Sequence, residues 1–425
     1  MKVVLIGGGG REHALALKLQ QSSQVDEIVA IPGGSGMRGA AESLPVTWSN
    51  AEELADIIEK QQPDLVIVGN EAPLVQGIVD VLTARGIAAF GPTKAAARIE
   101  SSKVFAKELM KKYDIPTAGF ASFTHPARAK TYLVRKPSPF VIKADGLAQG
   151  KGVIIAKDNA DAQAAIDVML RDRKFGNAGS RIIIEEFMEG REVSLLAFVD
   201  GETVVPLIPA QDYKRLGDNN EGPNTGGMGS IAPVSMSDEE YQAAVERILK
   251  PTARALVAEG CPFRGVLYAG LMLTADGPKV VEFNCRFGDP EAQVLLPLME
   301  NDLGEVLQQI MDGHLADVQL RWRDGAAVCV VLASFGYPQQ VYKGDRIKGL
   351  DKVSAYPDVH LCHAATRLID DVYCTDGGRV LNVVAVRESI AAAKNAAYDA
   401  LGKIEFEGMQ YRADIADDEL ERLAR

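Results

Sequence analysis

The stretch VVEFNCRFGDPEAQ, residues 280–293, opens as a buried strand and then departs from one. Val280, Val281, Phe283, Cys285 and Phe287 are core-forming residues. Between them Glu282, Asn284 and Arg286 stand two apart, so a strand turns all three to one face. A carboxylate, an amide and a guanidinium side by side are costly to bury unless something engages them. Near a triphosphate a bare carboxylate is repelled by roughly 4 kcal/mol per charge at close range and moderate effective dielectric. A divalent cation reverses that sign. Glu282 and Asn284 offer oxygen ligands suited to magnesium or manganese, and Arg286 can neutralise an oxyanion farther along the same face. The bland alternative is a structural Glu–Arg pair with Asn284 capping the turn before GDPE.

Outward from this stretch, the chain of 425 residues is too long for one ordinary core, so several domains are expected. Its 47 % apolar and 24 % charged residues describe a soluble globular protein. The apolar run of MKVVLIGGGG is too short for a signal peptide, and no stretch approaches a membrane span. Five cysteines without a CxxC pair point to a reducing compartment and away from a zinc site. A formal charge of −12 opposes nonspecific nucleic-acid binding. The expectation is a cytoplasmic enzyme acting on small molecules, with no nucleic-acid or membrane partner, and monomeric, a weak dimer being the alternative.

The first hundred residues alternate strand and helix. KVVLIG, EIVAIP and LVIVGN are short β-branched runs ending in turn residues, with helical patterns between them. This is the pattern of a doubly wound parallel sheet. Helical periodicity continues from residue 91 to Pro116. Strands separated by one helix-like stretch at 160–171 then predict a small α+β lid over about 122–186. Residues 210–235, rich in Gly, Asn, Pro and Asp, read as a functional loop too polar to pack. A C-terminal mixed α/β domain is expected over 326–425, after an N-terminal domain over 1–100 and a middle one over 101–325.

Three motifs carry further chemistry. The glycine-rich turn of LIGGGGREHAL ends a strand and opens a helix, a favoured place for an anion. It is not a dinucleotide fingerprint, because Glu12 or His13 replaces the third glycine and EIVAIPGG lacks the ribose-binding acid. A sugar phosphate suits it, with a plain tight turn as the alternative. In IKADGLAQGKGV, Lys143, Gly146, Gly150, Lys151 and Gly152 form a basic hairpin able to fold over a triphosphate, although the spacing excludes a Walker A loop. In IIIEEFMEGREVSL, Glu185 and Glu192 flank a strand-to-strand connection whose backbone could read adenine and whose carboxylate could hold a ribose. Cys285 and the histidines 125, 314, 360 and 363 read as packing or surface residues.

Together these motifs resemble the ATP-grasp ligases, and within them the glycinamide ribonucleotide synthetase family. The resemblance runs in order through GGREHAL, GPTKAAARIESSK, KADGLAQGKGV, EEFMEGREVS, KRLGDNNEGPNTGGMG and EFNCRFGDPEAQ, then GRVLNVVAV and IEFEGMQYRADI. It implies that ATP phosphorylates glycine and that the amine of 5-phosphoribosylamine attacks the resulting glycyl phosphate, a step of de novo purine biosynthesis. By the same resemblance Lys103 and Lys143 contact ATP phosphates. Glu185 and the Phe187 backbone frame adenine, and Glu192 the ribose. Glu282 and Asn284 hold magnesium or manganese, with Arg286 beside the reacting phosphoryl group. Asp212 and Lys214 help to place glycine, and Gly8, Gly9, Gly10 and Glu71 meet phosphoribosylamine. The chain departs from the family pattern at Gly8 (usually Asn), at PGGSGM (usually PGNAGT), at Tyr213 (commonly His) and at Ala416 (usually Gly). The strand before Glu282 offers Gly270 where many ATP-grasp ligases carry a second carboxylate. Sister ligases with another acid or amine, a nicotinamide oxidoreductase and a nucleotide-binding regulatory module are the competing readings.

Overall fold

The computed structural model describes residues 1–146, 152–174 and 176–424. Its first unit is a five-stranded, all-parallel sheet in the order Glu42–Ser43, Glu27–Pro32, Lys2–Gly7, Leu65–Val68, Ala89–Phe90. The central runs VVLI and LVIV are buried on both faces, as strands covered by crossover helices must be. Helix Gly10–Leu19 starts directly after the first strand. Glu12 caps it, accepting the Gly9 N–H at 2.8 Å, and pairs with Arg11 Nε at 2.7 Å. The positive end of this helix is therefore already met by the chain's own carboxylate. A Cβ at Gly7 or Gly69 would lie 2.4 Å from the Glu12 side chain, so both positions need glycine to make room for it.

The lid is a four-stranded antiparallel sheet, Phe120–Phe123, Ile182–Glu186, Phe140–Ala144, Val153–Ala156. Two helices back it, not one. Pro126–Leu133, with proline in its first turn, was not legible as a helix, and Asn159–Ile166 ends in a π turn over Asp167–Arg171. The lid has its own core, built around Phe140, Ile142, Leu133, Ile166 and Ile184. The strand-to-strand connection expected around residue 187 joins two different sheets. Ile182–Glu186 belongs to the lid, whereas Arg191–Asp200 pairs with Arg264–Thr274 in the central sheet.

That central sheet runs Thr203–Pro206, Arg191–Asp200, Arg264–Thr274, Gly277–Asn284. Its last pairing contains a bulge: Gly270 faces Glu282, Leu271 faces Val280, and Val281 is left over. Strict alternation would put Val280 and Glu282 on one face. The extra residue lets Val280 stay in the core while Glu282, Asn284 and Arg286 all face a cleft. Val281, expected in the core, lines the cleft wall.

The C-terminal sheet, all antiparallel, reads Gln211–Asp212, Gly229–Ala232, Ala326–Ala333, Arg379–Arg387, Val359–His363. Two of its strands come from 210–235, expected as an unpacked loop. Gly229–Ala232 is fully buried, because its short residues lie flat against Ala326–Ala333. This unit also touches the first one, where the His363 N–H donates to His13 Nδ1 at 2.8 Å.

Because the lid core is separate, Phe140→Ala should cost the lid about 3 kcal/mol. Limited proteolysis should then cut first between residues 120 and 186. One cooperative loss of the whole chain would contradict an independent lid core.

Candidate active site

A cleft of about 920 Å³ opens between the first unit, the lid and the central sheet. It is within the size of small-molecule sites. Lys103, Lys143, Gly152, Glu185, Phe187, Glu192, Asp212, Lys214, Glu282, Asn284, Arg286 and Glu71 all line it. The chain thus brings together side chains from positions 71 to 286. Gly146 sits at the rim, its carbonyl accepting from Lys103 Nζ at 3.2 Å. Gly150 and Lys151 lie outside the described residues.

Each cation is aimed by a local device. Lys103 opens helix Lys103–Lys112, whose N-cap Ser102 accepts the Phe105 N–H at 3.1 Å. Asp145 steadies the same end, accepting from Ser102 Oγ and the Val104 N–H, both at 3.1 Å. Lys143 lies buried on strand Phe140–Ala144, 3.1 Å from Glu185 Oε2 and 3.0 Å from the Val281 carbonyl that the bulge leaves facing the cleft. Arg286 is shared by Glu100 at 2.9 Å and Glu71 at 3.3 Å, and also donates to Asn284 Oδ1 at 3.3 Å. Glu100 further accepts the Cys285 N–H at 2.8 Å. The bland Glu282–Arg286 pair is therefore not what forms.

Glu282 makes no ion pair among the described residues. Burial opposes its ionisation, but the fields of Lys214, Lys103, Lys143 and Arg286 outweigh burial and hold its carboxyl below the ordinary range. An ionised carboxylate beside an amide oxygen, inside a ring of cations, is a donor set that fits a hard divalent ion bridging to phosphate. Among the described residues no cluster of three or more His, Cys, Asp or Glu forms a self-sufficient metal cage. Lys214 pairs with Glu192 at 2.6 Å; burial would depress it, yet Glu192 and Glu282 push it up. Asp212 is raised by burial first and then by Glu291, and among the described residues its Oδ1 has no hydrogen-bond partner.

Sequence reading missed several contributors. Lys107, buried on the helix that Lys103 opens, pairs with Glu185 Oε2 at 3.0 Å and donates to Thr117 Oγ1 at 2.7 Å. Its helical spacing of four from Lys103 was the available signal. Glu185 Oε1 is left without a partner. Glu100, Arg11, Asn70, Asp289 and Arg379 also line the cleft. Arg379 reaches Asp289 at 2.9 Å from a strand of the C-terminal unit. The glycine turn is closely packed. Gly8 and Gly9 are half-buried beside Glu12, and Gly10 is buried, a Cβ there lying 2.3 Å from Asn382 Nδ2. None of the three is among the residues lining the cleft.

Profiles of the phosphoribosylglycinamide synthetase family match the chain in three parts: the N domain over 1–100, the ATP-grasp (A) domain over 101–292 and the C domain over 327–418. This chain belongs to that family. A relative from Caldanaerobacter subterraneus, named phosphoribosylamine–glycine ligase, is 47 % identical over 417 residues, covering 98 % of this chain and 99 % of its own. A trifunctional purine biosynthetic protein of Gallus gallus is 47 % identical over 419 residues, covering 97 % of this chain and 42 % of its own. The crystal structure of phosphoribosylamine–glycine ligase from Thermotoga maritima aligns with a TM-score of 0.86 at 34 % identity, covering 98 % of this chain and all (100 %) of that one. A biotin carboxylase from Campylobacter jejuni, at 13 % identity and a TM-score of 0.73 over 99 % of this chain and 98 % of its own, shares the fold alone. The synthetase family member described here is thus a ligase of the ATP-grasp fold. No helix among its described residues is long and apolar enough to cross a membrane.

Lys107 generates a pH prediction. Burial, opposed by Glu185, pushes it from 10.5 down to about 8. Between those values the unfolded chain holds a proton that the folded one lacks, so this lysine makes stability rise with pH. Lys107→Met should flatten that rise by about 3 kcal/mol across the window, at about 1.4 kcal/mol per pH unit. Chemical denaturation at the two ends of the window reads the difference, and an unchanged slope would contradict a buried lysine that titrates there.

Proposed function

We propose that the cleft joins glycine to 5-phosphoribosylamine with ATP as the driving substrate, giving glycinamide ribonucleotide, ADP and phosphate. The observation that carries the reading is Glu282, an ionised carboxylate without an ion-pair partner among the described residues, ringed by Lys103, Lys143, Lys214 and Arg286. A glycine carboxylate oxygen attacks the γ-phosphorus, and the bond to the ADP oxygen breaks. The amine of phosphoribosylamine then attacks the carbonyl of glycyl phosphate. The carbon–oxygen bond to phosphate breaks, phosphate leaves, and the amine loses its proton.

Little covalent work falls to the protein, since holding charged groups in line is the main requirement. Lys103, Lys143, Gly146 and Gly152, with Gly150 and Lys151 of the sequence between them, hold the triphosphate. Glu282 and Asn284 hold magnesium or manganese, which would neutralise charge between phosphate oxygens. Arg286 faces the transferring phosphoryl group and later the leaving phosphate. Glu185, with the Phe187 backbone, meets adenine, and Glu192 the ribose. Asp212 and Lys214 receive glycine: the unpartnered Asp212 Oδ1 suits its ammonium group, and Lys214 its carboxylate. Glu71, with Asn70 and Arg11 beside it, meets phosphoribosylamine, near the half-buried Gly8 and Gly9 and ahead of Gly10. The reading is of a cytoplasmic enzyme that acts as a monomer.

Glu282→Gln keeps the shape and removes the charge, so turnover should fall by on the order of a thousandfold while the circular dichroism spectrum stays unchanged. Near-normal turnover would overturn the metal assignment. Asp212→Asn should raise the KM for glycine well above any change in the KM for ATP. An unchanged glycine KM would remove Asp212 from the glycine site.

A further inference from the structure

The loop that carries Asp212 and Lys214 is gripped by the segment from Arg412 to Arg422, whose Asp418 and Arg422 also border the cleft. Gln211 and Tyr213 alternate with Asp212 and Lys214 along an extended segment. Both of the first pair converge on one carboxylate. Gln211 Nε2 donates to Asp418 Oδ2 at 2.8 Å, and Tyr213 OH donates to Asp418 Oδ1 at 2.5 Å. Arg422, one turn along the helix Asp417–Leu423, donates to Asp418 Oδ2 at 2.8 Å. Tyr213 OH also accepts the Ala416 N–H at 3.0 Å, and the fully buried Arg412 lies 5.0 Å from the centre of its ring. Farther along the loop, Asp414 accepts the Asn219 N–H at 2.8 Å, Asp218 accepts the Ala413 N–H at 2.8 Å, and Arg412 donates to Asn220 Oδ1 at 2.9 Å.

Tyr213 and Ala416 meet in this grip. Ala416 takes φ +77°, a left-handed backbone that costs a residue with a Cβ about 1 kcal/mol. That conformation directs its N–H at the Tyr213 hydroxyl. The strain persists because the contacts around it, Tyr213, Asp418 and Arg412, over-determine the turn.

We propose that the segment from Arg412 to Arg422 is a positioning element for the glycine site, with Tyr213 and Asp418 as its positioning residues. The inference rests on the reading that Asp212 and Lys214 receive glycine. Neither Tyr213 nor Asp418 takes part in bond making. They fix the backbone from which Asp212 and Lys214 project, so that the Asp212 carboxylate stays aimed without a partner of its own. A small displacement of such a backbone lowers productive binding steeply.

The test uses the full-length enzyme with Mg-ATP, glycine and phosphoribosylamine, measuring KM for each substrate, kcat and the thermal midpoint. Tyr213→Phe removes one hydroxyl and should raise the KM for glycine on the order of tenfold, with the KM for ATP within about twofold of the parent. Tyr213→His keeps a donor toward Asp418 and should recover most of the glycine affinity, whereas Asp418→Ala should reproduce the phenylalanine phenotype. A Tyr213→Phe enzyme with parental glycine KM, or one that loses affinity equally for all substrates, overturns the proposal. If Asp212→Asn raises the glycine KM and Tyr213→Phe does not, the positioning role alone fails. If neither does, the glycine assignment fails with it.

Discussion

Arg286 is held by two carboxylates from other parts of the chain, Glu71 and Glu100, and much of the cleft depends on that sharing. A guanidinium set among apolar residues is costly unless paired, and removing one partner from such a group costs more than the pair contributes. Glu71 comes from the first unit, Glu100 from the helical connection, and Arg286 from beyond the end of the central sheet. Their contact ties the three segments together at the floor of the cleft. Glu100 also takes the Cys285 N–H, so the backbone on which Asn284 and Arg286 stand is fixed by the same group. Arg286 is pushed up from its ordinary value by Glu100 and Glu71 against the effect of burial, and so stays charged.

The same logic explains how the floor of the cleft is populated. One extra residue, Val281, turns Glu282 out of the core and leaves a carbonyl for Lys143. Lys143 shares Glu185 Oε2 with Lys107. Glu185 Oε2 therefore keeps a counter-charge in Lys107 even without Lys143. Lys103, Lys143, Lys214 and Arg286 thus gather around Glu282, although the chain as a whole carries a net charge of −12. Global charge says little about such a site, because interactions between exposed charges are screened within about a Debye length.

Most of this was legible locally, and what was not shares one cause. The parallel sheet followed from its β-branched runs, and the shared cleft-facing side of Glu282, Asn284 and Arg286 from their spacing. The lid's first helix was hidden because THPARAKTYLVRK carries few apolar positions, its stability coming from the sheet beneath it. Residues 229–232 fall within a stretch read as too polar to pack, yet Gly229–Ala232 is buried because it pairs with the buried strand Ala326–Ala333. Glu12, which sits where a third glycine was sought, caps the glycine turn from within by accepting the Gly9 N–H. Lys107, Glu100 and Arg379 were invisible as functional residues, since their roles depend on partners far away in sequence.

The account stands most directly on which substrates release ADP. Purified protein with Mg-ATP should release ADP only when glycine and freshly generated phosphoribosylamine are both present, with glycinamide ribonucleotide formed in equal amount. ADP release coupled to a different acid or amine, or none at all from enzyme that binds ATP, would contradict it.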